Sequence, residues 1–289
     1  MSGPTAQDLL YNPRLSVVEF PDIVRRWALH SEEIRAAERG YFDVPYGAGQ
    51  GEKMDIFPAH GSGRALLVFI HGGYWRALDK KDFSFVAPSL MRAGVTVAIP
   101  NHALCPAVGV RDIVLQMVRA CAWLYRNGEN FGAPRHSVYV CGHSAGGHLT
   151  AMMLACEWPH YAPDLPRKVV QGGLSISGLF DLREITRAPS INDDVRLTEE
   201  SALEISPAFL PPATDAPFCM AVGEKETGGF HRQHELMREK WRSVLREDLL
   251  CEGCNHFTVL DELTRPASRL FRGALAMMGI RAGALQLPS

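Results

Sequence analysis

The stretch Ser137–Ala155, SVYVCGHSAGGHLTAMMLA, decides the architecture. Residues 137–143 form an apolar run of strand length, and 145–155 a run of small and apolar residues long enough for a helix. The join is Gly142-His-Ser-Ala-Gly146, the pattern G-x-S-x-G. A strand that passes directly into a helix must turn so tightly that the neighbours of the central serine have to be small. Ala145, Gly146 and Gly147 meet that requirement. The turn lifts Ser144 Oγ clear of the sheet, at a helix N-terminus where backbone N–H groups lack intrahelical partners. Ser144 is therefore the candidate nucleophile. The plainer reading, a structural serine in a Gly-rich turn, gives way to this context.

Working outward, apolar strand-length runs lie at 65–71, 95–100, 169–177, 216–222 and 247–251, alternating with helical patterns at 81–94, 110–127, 230–245 and 259–278. The helix at 110–127 puts Ile113, Val114, Met117, Val118, Cys121 and Leu124 on one face. Strand alternating with helix predicts a mostly parallel sheet covered on both faces. YFDVPYG and EKMDIF before it read as two antiparallel edge strands, and residues 1–40 as a helical arm. The segment 178–215, between strands and rich in proline, reads as a small cap. One domain spanning 1–289 is expected.

A serine hydroxyl needs a base. In a fold with this turn the base follows the last strand, and Cys254-Asn-His256-Phe is in that place. His143 and His148 flank the serine, one expected to point away across the turn and the other to start a helix. His231 and His234 are three apart on a polar helix with no third ligand in view, so a solvated face is the reading and no metal is expected. The acid follows the preceding strand, where Glu224 and Glu226 both stand; Glu226, further out on the loop, is preferred. Phe69-Ile-His-Gly-Gly-Tyr-Trp75 ends the strand at 65–71 with a loop suited to bring N–H groups close to a substrate. Gly72, Gly73 and Tyr74 are the candidate oxyanion donors together with Ala145. Tyr74 and Trp75 are expected to narrow the acyl side of the pocket.

Composition excludes other classes. A net charge of −2 with dispersed basic residues gives no pull toward nucleic acid. No apolar run reaches the length of a membrane span, and the opening MSGPTAQDLLYNP lacks the basic and apolar regions of a secretory signal. Seven cysteines, an odd number, suit buried thiols in a cytoplasmic protein better than a disulfide framework. Cys251-Glu-Gly-Cys254 has no second CxxC, so zinc or redox chemistry is not the reading.

Together HGGYW (71–75), GHSAGGHL (142–149), SGLFDL (177–182), INDDVRLTEESALEISP (191–207) and VGEKETGGFHRQ (222–233) resemble the kynurenine formamidase, or arylformamidase, group of α/β-hydrolases. The likeness runs from YNP at 11–13 to NHF at 255–257. It implies an α/β-hydrolase fold, Ser144 as nucleophile, His256 as base, and hydrolysis of N-formyl-L-kynurenine to kynurenine and formate without a cofactor. Two positions depart from the family pattern. Glu226 stands where the group usually has Asp, without the Ser-Pro-Glu that follows it there, and His102 stands where Tyr is common. Both regions are expected to border the pocket.

A substrate that is an amino acid wants a partner for its carboxylate. Arg76, Arg183 and Asn192 are the candidates, each also readable as a solvated or structural residue. Rival readings are a short-chain carboxylesterase using the same triad and a non-catalytic binding protein on the same fold. The latter would be expected to lack part of the triad, every element of which is present. The expected partner is a small-molecule substrate; oligomeric state, homo-oligomer included, is left open.

Overall fold

A computed structural model describes residues 3–281; Met1, Ser2 and residues 282–289, the ends of the expected 1–289 domain, lie outside the described residues. Eight strands form one sheet: β1 (Tyr41–Pro45), β2 (Lys53–Phe57), β3 (Ala65–Ile70), β4 (Val95–Pro100), β5 (Val138–His143), β6 (Val170–Ile176), β7 (Phe218–Gly223) and β8 (Leu245–Cys251). Their order is β1-β2-β4-β3-β5-β6-β7-β8. β1 and β2 run antiparallel, and every pairing from β4 through β3 to β8 is parallel.

β3 explains why its sequence is a continuous apolar run. Leu66, Val68 and Ile70 enter the core on one face while Ala65, Leu67 and Phe69 enter the core on the other. A central parallel strand is buried on both faces, so alternation with polar residues disappears. Alternation returns at the edge in β8, where Arg246, Asp248 and Leu250 face solvent. The helix Val110–Asn127 lays its apolar stripe on the first core, as its period predicts.

Three helical expectations are corrected. Residues 81–94 are a 3-10 stretch, Lys80–Val86, followed by a short helix, Ala87–Arg92. Residues 230–245 are helical over Gly228–Lys240, and the chain enters β8 at Leu245. Residues 259–278 are two pieces, the 3-10 stretch Thr258–Thr264 and the helix Arg269–Met277. Pro266 stands in the gap; it biases Arg265 away from helical backbone, and Ser268 then caps the second piece.

Two additions flank this frame. Helices Ala6–Tyr11 and Phe20–Ala37 form the N-terminal arm. It lies along the second core through Ile23 and Trp27 and is fastened by Trp27 Nε1–H to Asp261 Oδ1 at 3.2 Å and Arg26 to Asp261 at 2.8 Å. Between β6 and β7 lie three short helices, Arg183–Thr186, Pro189–Val195 and Glu199–Glu204. The strand order reverses direction between β4-β3 and β5, which makes the crevice beyond the C-terminal ends of β3 and β5 the natural place for a ligand.

Candidate active site

Both of the first elements of the site rise from that crevice. At the end of β5, Ser144 holds φ 57° and ψ −116°, a conformation an L-residue seldom adopts, and caps the helix Ala145–Ala155. The elbow is crossed so closely by β3 that a Cβ on Gly146 would stand 2.0 Å from the carbonyl oxygen of Ile70. Only glycine leaves room for that approach. The loop after β3 is equally taut: Tyr74 and Trp75 both have positive φ, 52° and 55°. Strain of this kind is retained where the surrounding structure over-determines it, and it gathers at functional sites.

The loops after β7 and β8 complete the arrangement. The Ser144 hydroxyl donates to His256 Nε2 at 3.0 Å, and His256 Nδ1–H donates to Glu226 Oε2 at 2.6 Å. Glu224, the other candidate, is exposed and accepts a bond from the Gly253 amide at 2.7 Å instead. The second oxygen of Glu226 accepts from Ser177 Oγ at 2.5 Å and from the Gly223 amide at 2.7 Å. Burial by itself would raise the pKa of this carboxyl. The charge of His256 and the hydrogen bonds from His256, Ser177 and Gly223 outweigh it and hold Glu226 below its ordinary value. Glu226 is thus a buried, ionised acceptor.

His143 is not directed away from the site. Its Nε2–H donates to the backbone carbonyl of His256 at 2.7 Å, and the two rings lie 4.9 Å apart. Burial first, then the nearby His256, lower its pKa to about 3, so it is a neutral, fixed donor. His148 does lie in the helix, where Nε2–H donates to the Ile205 carbonyl at 2.8 Å. Amides of Gly73, Tyr74 and Ala145 donate to no protein group among the described residues, and Gly72 and Gly73 line the same pocket as Ser144.

That pocket is narrow, with about 30 Å³ of enclosed space and about 400 Å³ when the open solvent at its mouth is counted. Besides Ser144 and His256 it is lined by Phe20, Trp27, Tyr74 and Phe257, with Arg14 at its exposed rim. Tyr74 is therefore a wall, and its hydroxyl is held by the Tyr11 carbonyl of the arm. Other expected pocket residues are elsewhere. Trp75 is fully buried behind the loop, edge-on to His148 at 5.2 Å. His102 is stacked on His71 at 4.7 Å and borders a different groove. Arg183 is held by Asp181 at 2.8 and 2.9 Å, and Asn192 bonds Leu197 within its own turn. Arg76 pairs with Asp194 at 2.5 Å. None of these five lines the pocket around Ser144; Arg183 and Asn192 are engaged within their own segments, and Trp75, His102 and Arg76 pack against or bond distant ones.

Three contributors escape sequence reading: Ser177, whose φ of 53° at the end of β6 aims it at Glu226; His143 as a bond donor to the base loop; and the arm as a pocket wall. The only signal for the last was apolar spacing at Phe20, Ile23 and Trp27, which marks a buried face without saying what it faces. His231 is half-buried and its Nε2–H donates to the Glu224 carbonyl at 3.3 Å, His234 pairs with Asp248 at 2.5 Å, and no metal-holding cluster occurs among the described residues. Cys251 and Cys254 are free buried thiols; burial pushes Cys251 up to about 12 and raises Cys254, far from the reactive thiolate range. No helix among the described residues is long and apolar enough to cross a membrane.

Comparison with known proteins bears on the fold and the family. Residues 54–161 match the BD-FAE family. Kynurenine formamidase of Danio rerio is 30% identical over 93% of this chain and 92% of its own length. The Salmo salar enzyme of that name is 30% identical over 86% and 85% respectively. A crystal structure from a Silicibacter species, provisionally named a thioesterase, superposes with a TM-score of 0.82 at 29% identity, covering 96% of this chain and 98% of that one. Likeness of this extent, with the strand order and elbow already described, makes the chain a hydrolase that belongs to the kynurenine formamidase-like family of α/β-hydrolases.

Proposed function

We propose that this enzyme cleaves an aryl formamide, N-formyl-L-kynurenine, to kynurenine and formate through a Ser144–His256–Glu226 triad. The observation that carries the reading is the unbroken line of hydrogen bonds from Ser144 to Glu226, opening on an aromatic-walled pocket. Relatives named kynurenine formamidase support the choice of substrate.

His256 Nε2 takes the hydroxyl proton as Ser144 Oγ attacks the formyl carbon. The amides of Gly73, Tyr74 and Ala145, with Gly72 shaping the loop, meet the oxyanion that forms. The imidazolium then gives its proton to the departing aniline nitrogen; the C–N bond breaks and the formyl group stays on Ser144 as an ester. Water, deprotonated by the same nitrogen, attacks that ester, and formate leaves with the hydroxyl restored. Glu226 stays ionised throughout and fixes the Nδ1–H tautomer. No step calls on a cofactor.

A second reading, a short-chain carboxylesterase with the same triad, is favoured by likeness to two Mycobacterium tuberculosis proteins named as esterases, 27% and 30% identical over 62% and 68% of this chain. Comparing kcat/KM on N-formyl-L-kynurenine and p-nitrophenyl acetate separates the two. The formamide is expected to be preferred; an ester preference of about tenfold or more assigns the enzyme to ester substrates. We read residues 178–215 as a cap on a single domain, held in part by the bond from His148 to Ile205. Seven free thiols, six of them buried, support a reducing, cytoplasmic setting.

A further inference from the structure

The pocket has an asymmetry that the triad does not use. One wall is supplied by the N-terminal arm through Phe20 and Trp27, and the chain just before that wall carries Arg14. Its guanidinium lies 4.8 Å over the Phe20 ring. Arg14 makes no ion pair among the described residues, whereas its neighbour Arg76 is engaged by Asp194 at 2.5 Å and by the Ser190 carbonyl at 2.8 Å. Partial burial against the pocket, and then the charge of Arg76, push the Arg14 guanidinium below its ordinary value, although it stays protonated. A cation beside a second cation, with no carboxylate of its own, is relieved by an incoming anion.

The rim is also built to stay where it is. Asn12 Oδ1 accepts from the Arg14 amide at 3.3 Å, and Asn12 Nδ2–H donates to Ser190 Oγ at 3.0 Å. Tyr11 is fixed on both sides, its carbonyl by the Tyr74 hydroxyl and its own hydroxyl by Gln233 Nε2–H at 3.3 Å. Residues 11–14 are thus tied to the loop after β3, to the segment between β6 and β7, and to the helix Gly228–Lys240. Phe20 meets Phe257, the residue after His256, with ring centroids 4.7 Å apart. An aromatic group leaving from the acyl carbon at Ser144 would lie among Phe20, Trp27 and Phe257, with Arg14 at the rim above it.

We propose that Arg14 is the specificity-determining residue that reads a carboxylate on the leaving group, so that the arm selects anionic aryl substrates over neutral ones. This rests on the acyl-transfer reading above for the placement of the leaving group. It replaces Arg76, Arg183 and Asn192 in that role. Arginine suits it because its planar fork can pair with both carboxylate oxygens while stacking on an aromatic face.

The test measures kcat/KM on two matched pairs: N-formyl-L-kynurenine against its carboxamide, and 3-acetoxybenzoate against its methyl ester. Wild type, Arg14→Gln and Arg14→Lys are compared, and the readout is the acid-to-neutral ratio within each pair. The ratio is expected to fall about tenfold in Arg14→Gln, the size of one charge-assisted contact at a half-open rim, and to fall by less in Arg14→Lys, which keeps the charge but loses the fork and the stacking. An unchanged ratio in Arg14→Gln overturns the role of Arg14 and leaves the formamide reading intact. Turnover of the acetoxybenzoates alone, with an Arg14-dependent ratio, ends the formamide reading and supports Arg14. No turnover of either acid by the wild-type enzyme overturns both.

Discussion

The imidazole of His143, the residue immediately before the nucleophile, donates a 2.7 Å hydrogen bond to the backbone carbonyl of His256. The elbow therefore holds the base loop as well as presenting Ser144. Replacing His143 by Phe keeps a ring against His256 but leaves that buried carbonyl without its donor. The expected cost is about 1–3 kcal/mol of stability and roughly a tenfold fall in kcat with KM little changed. Thermal unfolding and steady-state kinetics check this; a variant with wild-type kcat would show that the loop is fixed without His143.

Glu226 and Glu224 differ by two positions and by everything around them. Glu226→Gln removes the buried anion that His256 Nδ1–H faces and should lower kcat by about three to four orders of magnitude. Glu224→Gln, on an exposed side chain bonded to the Gly253 amide, should stay within about twofold. The reverse pattern would move the acid to Glu224.

Gly73 has φ +112°, and a Cβ there would stand 2.2 Å from the Ala77 carbonyl oxygen. Gly73→Ala must displace the loop that carries the proposed oxyanion amides. The expected result is a loss of about 10²–10³ in kcat, larger than any change in KM, in a protein that still folds. A loss confined to KM would place this loop in substrate binding rather than in charge stabilisation.

Acid should unfold the protein early. Burial lowers the pKa of His102 and His143 to about 3 and of His148 to about 4, against an ordinary histidine value of 6.5. Between the two values the unfolded chain binds protons that the native chain refuses, so stability falls as pH drops below 6.5. Each group contributes a slope of about 1.4 kcal/mol per pH unit, together about 4. A stability of about 5–10 kcal/mol, the lower part of the usual range, is then exhausted between about pH 5.3 and about pH 4. Circular dichroism across that range checks it; native signal retained at about pH 3 would contradict it.

What the sequence discloses follows from how local the physics is. The turn at Ser144 is legible because its sterics are confined to five residues, and His256 and Glu226 because chain order places them on loops after successive strands. Pro266 is equally visible, yet the apolar pattern across 259–278 reads through it as one helix, which the structure breaks. The arm's part in the pocket is illegible for a different reason. Trp27 is fixed by Asp261, 234 positions away, and nothing in either segment names the other. For Trp75, His102, Arg183 and Asn192 the sequence shows which loop each stands on but not which way its side chain turns, and the partners that fix them are ones periodicity does not reveal.

The central claim is that Ser144 takes the acyl group of an aryl formamide. Release of kynurenine from N-formyl-L-kynurenine by the purified enzyme, with Ser144→Ala assayed in parallel, tests it most directly. Release by the wild type that falls to background in Ser144→Ala is the predicted result. No release by the wild type, alongside Ser144-dependent cleavage of p-nitrophenyl acetate, would contradict the formamide and leave a serine esterase in its place.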